Sequence, residues 1–339
     1  MNIVIDLVHP ADVNFYKNSI NILMKRNVGV NLIVRPRGRL LSILQKEFPH
    51  TDPKIIGKHY SNIHGKIVGL IKRELELLFY LNKIDFDVSL GGFMIGYASR
   101  ILHKPCVTFE DDYEYKIPFY LAKFTATRHV MPECIPATGK NMYKYKGLKE
   151  IAYLHPRYFK PDKEILEQYK LRPQEYVFIR EIANTSLNYK DTSAKLHEIT
   201  EYLKEMGFQI IVSLENKSLI ERFKKNCIIL EEPVEDIYSL LKFAALTISS
   251  GDTMARESCL VGTPTIYTGG RDMYVNKELI RKECMFKVDD IEQVPITVKY
   301  ILENDMKKHI ERIIGHAIKH EWEDTTEIII ENLIDVLND

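Results

Sequence analysis

Short apolar runs rich in β-branched residues alternate along this chain with longer stretches of helical period, the pattern of a parallel sheet covered by helices. Runs at 3–8, 30–34, 88–90, 106–109 and 129–131, with a weaker one near 55–56, predict the strands of a first sheet. The pattern restarts at 176–179 and repeats at 209–213, 228–230, 245–249 and 265–267. Two doubly wound α/β units follow, each with its strands' carboxyl ends on one edge, where open sheets bind ligands.

The clearest helix spans roughly 63–82, with Ile67, Leu70, Ile71, Leu75, Leu78 and Phe79 on one face, which is expected to pack on the sheet. Pro156 and Pro161 forbid a helix between the two units, so an extended hinge is expected there. The expected division is a first domain over 1–150, a linker over 151–162, a second domain over 163–321 and a terminal helix over 322–339 that can return to the first domain.

Composition narrows the class. At 339 residues, 45% hydrophobic and 28% charged, the chain is globular and large enough for two cores. Lys plus Arg and Asp plus Glu each total 47, so no overall field draws in nucleic acid. Five scattered cysteines without a Cys-x-x-Cys pair read as reduced thiols rather than as zinc or redox ligands. The opening Met1-Asn2-Ile3-Val4-Ile5-Asp6 lacks the features of a signal peptide, so a cytoplasmic protein is expected. The stretch 67–81 is broken by Lys72, Arg73, Glu74 and Glu76 and cannot cross a bilayer, leaving peripheral contact at the inner face of the membrane as the membrane role open to it. Basic and aromatic residues in 141–149, with Lys66, Lys72 and Arg73, suit either an anionic lipid-linked acceptor or a plain solvated face.

Four clusters after the expected strands carry candidate chemistry. Ser249-Ser250-Gly251-Asp252-Thr253 turns a strand straight into a helix, whose open N–H groups suit a diphosphate that Ser250, Gly251 and Thr253 let approach closely. Glu257, one turn further on, can accept two hydrogen bonds from a ribose diol; the bland alternative is an ordinary N-cap with Glu257 solvated. Arg180, after the first strand of the second unit, either pairs with a leaving diphosphate or forms a salt bridge. His9, after the first strand of the chain, either takes a proton from an acceptor hydroxyl or bonds backbone at the turn, with Asp12 capping the helix. Glu110-Asp111-Asp112-Tyr113-Glu114 is either an acid/base cluster, with Glu110 and Asp111 the catalytic candidates, or a solvated loop; Gly91 and Gly92 leave room nearby for an acceptor. No resident cofactor or metal is expected.

The stretch 229–241, followed by Ser250-Gly251, Glu257 and Gly262-Thr263-Pro264, resembles the donor region of GT-B nucleotide-sugar enzymes, both the non-hydrolysing UDP-N-acetylglucosamine 2-epimerases and the peptidoglycan N-acetylglucosaminyltransferase. Nearly the whole chain, including residues 6–11 and Thr253-Met254-Ala255-Arg256-Glu257, also resembles a family known as domain of unknown function 354. These resemblances imply two Rossmann-like domains facing a cleft, with Ser250 and Gly251 at the diphosphate, Glu257 at the ribose, and Pro233 and Val234 framing uracil. Asp252 stands where a second glycine is common, and an acid beside phosphate repels it unless its carboxylate turns away or caps the helix. The epimerases' arginine-proline-glutamate start is His9-Pro10-Ala11 here, and their aspartate after the preceding strand is Gly91-Gly92. The expected activity is therefore a metal-independent transfer of sugar from a UDP-sugar to a glycan or lipid-linked acceptor in polysaccharide biosynthesis. A UDP-sugar epimerase or hydrolase, or a noncatalytic nucleotide-sugar-binding partner subunit, is the alternative.

Overall fold

A computed structural model describes residues 1–58, 63–182, 195–231 and 234–338, except for the side chains at 63, 64 and 66. The chain forms two compact units, residues 1–158 with 322–339 and residues 159–321.

The first unit holds strands β1 (Asn2–Leu7), β2 (Gly29–Val34), β3 (Lys54–Ile55), β4 (Val88–Leu90), β5 (Cys106–Phe109), β6 (Arg128–Pro132) and β7 (Met142–Tyr145). They form one parallel sheet in the order β3-β2-β1-β4-β5-β6-β7, so the winding reverses beside β1. Its crossover helices include α1 (Pro10–Lys25), α2 (Leu40–Glu47), α3 (Ile63–Leu81), α4 (Phe93–Ile101) and α5 (Lys116–Thr125). Val4, Ile33, Leu77, Leu81, Phe86 and Ile95 belong to one buried cluster that locks α3 and α4 onto the sheet. Covered on both faces, the central strands are buried and mostly apolar, which is why their runs stand out in the sequence.

The face that α3 buries is not the one its apolar period suggests. Gly69, Arg73, Leu77 and Leu81 turn inward at helical spacing, whereas Ile67, Ile71, Leu75 and Phe79 are 54%, 61%, 53% and 69% exposed. The decisive inward residue is charged. The Arg73 guanidinium donates to the Asp6 carboxylate of β1 at 2.5 Å and to the Ile56 carbonyl at 3.3 Å, and both side chains of the ion pair are buried. Hydropathy ranks Arg73 with the surface, so periodicity assigned the helix the wrong side. Arg73 consequently leaves the basic surface expected from sequence, while Lys72 stays exposed; the Lys66 side chain lies outside the described residues. Part of the 141–149 segment is likewise structural: it forms β7, with Tyr145 in the core.

The second unit is a six-stranded parallel sheet in the order β10-β9-β8-β11-β12-β13. Its strands are β8 (Tyr176–Glu181), β9 (Gln209–Leu214), β10 (Ile228–Ile229), β11 (Leu246–Ser249), β12 (Thr265–Tyr267) and β13 (Met285–Lys287). The last helix, Thr325–Asp335, belongs to the first unit. Thr325 and Thr326 donate to the carbonyls of Leu148 and Ala152, and Arg157 and Arg128 pair with Glu327 and Asp335.

Candidate functional site

In the second unit β11 passes through Ser250 and Gly251 into the helix Asp252–Leu260, with Gly251 as its N-cap in extended conformation. A Cβ on Gly251 would meet the Ile182 side chain at 2.8 Å, so any larger residue would have to displace that side chain. The Arg180 side chain passes beside the same position, and its guanidinium donates to Ser213 at 2.6 Å. The register that pairs Arg180 with both Ser249 and Ser213 sets it on the central strand, between its two neighbours. Thr253 stands exposed on the first turn of the helix, whose N–H groups lack carbonyl acceptors within the helix.

Ser250 has a different part from the one expected of its hydroxyl. Its Oγ is buried, accepts the Ile182 N–H at 3.0 Å and lies 3.0 Å from the Glu181 carboxyl, tying β11 to β8. Burial pushes Glu181 up to about 7, so this carboxyl shares a proton with its surroundings near neutral pH. The Asp252 carboxylate accepts from the Tyr267 hydroxyl and from Arg271 at 3.2 Å. Its charge is thus directed into the β12 loop and neutralised, which removes the electrostatic objection to an anion at this helix end. Glu257 is buried and accepts from the Tyr238 hydroxyl at 3.2 Å. Val234 is half-buried in the segment before the helix Ile237–Phe243, and Pro233 lies outside the described residues.

Reading the sequence missed Tyr238, Tyr267 and Arg271. Arg271 follows Gly269-Gly270 just after a strand, a place where a basic residue could have been singled out; Tyr238 looks like any amphipathic helix residue.

With this Gly-capped helix, its adjacent arginine and the buried glutamate in view, comparison with other proteins becomes informative. A family model described as protein of unknown function DUF354 matches residues 1–338. The chain belongs to the DUF354 family. An uncharacterized protein of Methanocaldococcus jannaschii is 24% identical over 354 residues, covering 99% of each chain. The UDP-GlcNAc 2-epimerase of Neisseria meningitidis, solved with UDP-GlcNAc, superposes with a TM-score of 0.69 at 14% identity, covering 99% of this chain and all of the other. MurG of Acinetobacter baumannii does so with a TM-score of 0.63 at 12% identity, covering 99% of this chain and all of the other. The fold of this DUF354 protein is therefore GT-B-like, built from two Rossmann-like parallel-sheet domains.

In the first unit the DUF354 chain brings a second set of residues to the carboxyl ends of β1, β4 and β5. His9 is itself the N-cap of α1: its Nδ1 accepts the Ala11 N–H at 3.2 Å. Asp12, expected to be the cap, instead reaches back from the third helical position and accepts the N–H groups of Val8 and His9 at 2.9 and 2.8 Å. With Nδ1 accepting the Ala11 N–H, the neutral ring carries its proton on Nε2. Beside β1, Gly91 carries a φ of +155°, and a Cβ there would meet the Asp6 side chain and carbonyl at 3.1 Å. Gly92, the N-cap of α4, has open space where a Cβ would stand.

Glu110 follows β5 and is half-buried. Burial, reinforced by Asp111, Asp112 and Asp12 and opposed by Lys149, pushes its carboxyl up to about 7. Asp111 is 3.5 Å from the Lys149 ammonium, which also lies 4.9 Å from the Phe15 ring centre. Burial pulls Lys149 down, but Asp111, Glu110, Asp12 and Glu150 outweigh it and hold the ammonium above the ordinary lysine value. A half-buried acid near neutral pKa beside a fixed cation is equipped to exchange a proton. Lys149 was hidden in sequence because it reads as part of a basic surface run.

Proposed function

We propose that this protein is a glycosyltransferase that takes a sugar from a UDP-sugar and passes it to a hydroxyl of a glycan or lipid-linked acceptor in polysaccharide biosynthesis. The diphosphate binds at the helix beginning at Asp252, with the Gly251 turn giving it close approach and Thr253 at the first turn. Arg180 supplies positive charge as the UDP leaves. Glu257 accepts the ribose hydroxyls, exchanging its bond to Tyr238 for the ligand's, and the Pro233-Val234 segment borders the base. Ser250 acts by holding the turn rather than by touching phosphate. No resident cofactor or metal is needed, since the charge developing on the diphosphate is met by Arg180 and the helix end.

Glu110 serves as the base, with Asp111 and Lys149 positioning and tuning it. His9 is less suited, because its Nδ1 lone pair is committed to the Ala11 amide and its Nε2 carries the proton. A donor in that place can orient an acceptor oxygen or a phosphate over Gly91 and Gly92. The observation carrying transfer over epimerisation is the chemistry at the strand ends of the first unit. Glu110 and Asp111 follow β5, whereas His9-Pro10-Ala11 follows β1 and Gly91-Gly92 follows β4. An epimerase must remove a proton from one face of the sugar and return one to the other; His9-Pro10-Ala11 and Gly91-Gly92 carry no carboxyl, and Asp12, the next acid after β1, is committed to the Val8 and His9 N–H groups.

The fold comparisons support one further reading, a UDP-sugar 2-epimerase or hydrolase. Incubation with a panel of UDP-sugars, ranked by thermal shift and followed by proton NMR, separates the two. A transferase leaves the best-binding sugar intact until an acceptor hydroxyl is supplied. Inversion at C2 or release of free sugar without acceptor would overturn the transferase reading, and stabilisation by no UDP-sugar would overturn the donor site.

A further inference from the structure

The outward stripe of α3 continues onto its neighbours: α4 packs against both α3 and α5 in one layer. On α5, Ile117, Tyr120, Leu121 and Phe124 fall at helical spacing on the outside, with Ile117 74% and Phe124 63% exposed. On α4, Tyr97 and Ile101 do the same one turn apart. Single exposed apolar residues are ordinary on a protein surface, but three adjacent helices each turning a stripe outward mark an interaction face.

The charges on this face have one sign where they are most exposed. The ionised side chains of α4 and α5 are Arg100, Lys116 and Lys123, and neither helix contains an acid. Of the acids of α3, Glu76 accepts the Gly57 N–H at 3.0 Å and pairs with Lys72 at 3.9 Å, and Glu74 is half-buried and pushed up to about 7 by burial. The cations lie among the aromatics. The Arg100 guanidinium is 4.6 Å from the Phe124 ring centre and donates to the Phe124 carbonyl, bridging the α4 and α5 stripes. Lys116 and Lys123 sit over the rings of Tyr113 and Tyr120. In a chain whose formal net charge is zero, this positive excess is local. Aliphatic and aromatic side chains flanked by cations match the interfacial layer of an anionic bilayer, where rings and alkyl groups enter the acyl boundary and cations meet headgroup phosphates. No helix among the described residues is long and apolar enough to cross a membrane, so such contact lies along the surface.

We propose that the outer face of α3, α4 and α5 docks the protein onto an anionic lipid bilayer. This docking is independent of which reaction the protein catalyses, and its test uses no sugar nucleotide. The full chain is sedimented with large vesicles of phosphatidylcholine containing about 30 mol% phosphatidylglycerol, and with vesicles of phosphatidylcholine alone, at low and high salt. Expected are at least tenfold stronger partitioning onto the anionic vesicles and its weakening at high salt. Phe124→Ser with Ile117→Ser, at the two most exposed apolar positions of α5, and separately Arg100→Glu with Lys123→Glu, should each reduce partitioning at least tenfold while circular dichroism and thermal melting stay unchanged. Absence of binding to anionic vesicles, or equal binding by both double variants and the parent, would overturn the proposal. Light scattering coupled to gel filtration supplies the remaining outcome: a stable dimer that Phe124→Ser with Ile117→Ser dissociates, without vesicle binding by the parent, would make this face an interface between two copies and equally overturn membrane docking.

Discussion

Removing the carboxylate of Glu257 tests the donor site most directly. In the free protein this buried group accepts a hydrogen bond from Tyr238 at 3.2 Å, and UDP would replace that neutral partner with the two ribose hydroxyls. A hydrogen bond to a charged group contributes about 1.5–3 kcal/mol, and part of the gain is offset by release of Tyr238. A net loss of about 2–3 kcal/mol is therefore expected for Glu257→Ala, or roughly 30- to 150-fold in UDP affinity. Glu257→Gln, which keeps size and one acceptor, should cost about tenfold. Tyr238→Phe removes the standing partner and should leave affinity within about threefold of the parent. Titration calorimetry with UDP and with 2'-deoxy-UDP closes a double-mutant cycle: loss of the 2'-hydroxyl must weaken the parent and barely affect Glu257→Ala. Additive losses from the two changes, or equal UDP affinity in parent and Glu257→Ala, would refute the assigned ribose contact.

Four other outcomes are expected. Because Glu110 accepts a proton only as carboxylate and titrates at about 7, kcat/KM should fall about tenfold per pH unit below that value, and Glu110→Gln should lower turnover about a hundredfold or more with UDP affinity retained. Lys149→Met should move the acid limb to higher pH, since Lys149 opposes the rise in Glu110; a full loss in His9→Ala beside normal rates in Glu110→Gln would return the base role to His9. Turnover should survive chelator, and a loss in EDTA restored by magnesium or manganese would give Glu110, Asp111 and Asp112 a metal-binding role instead. Glu181 titrates at about 7 in the fold against an ordinary 4.5, so the stability it lends is complete below 4.5 and is lost as pH rises through 7. Relative to Glu181→Gln, the parent should thus gain about 2 kcal/mol in urea unfolding between about pH 7.5 and about pH 5.5, and parallel profiles would exclude the shift.

What the sequence disclosed depended on whether a residue's role was set by near or by distant neighbours. The central strands were legible because both of their faces are covered, so a mostly apolar run marks each one; β4 and β5 coincide with the expected 88–90 and 106–109. β7 was not, because an edge strand reading Met-Tyr-Lys-Tyr has the composition of a basic loop. The turn at Ser250 and Gly251 was legible for a similar reason: strand, small residues and helix follow one another within a few positions, and the resemblance to GT-B enzymes rests on that stretch. The fate of Asp252 was beyond local reading, since its partners Tyr267 and Arg271 come from the next strand and loop. Lys149 was lost in the same way, gaining its meaning from Glu110 and Asp12, which are far away in the chain.

Helix α3 carries this furthest. Its apolar positions outnumber those needed for one buried stripe, so periodicity alone had two faces to choose from and chose the more hydrophobic. The fold chose the other, which brings Arg73 to the buried carboxylate of Asp6, and an uncompensated charge there would cost more than several exposed aliphatic groups. One ion pair thus goes with the more hydrophobic stripe of α3 facing outward. Arg73→Met provides the check: it keeps the volume but strands Asp6, and should cost about 3–5 kcal/mol in urea unfolding. Asp6→Asn with Arg73→Met removes the charge at both ends and should recover a large part of that loss. If the single and double variants were equally destabilised, the orientation of α3 would rest on its packing with α4 and the sheet, and the buried pair would be incidental to it.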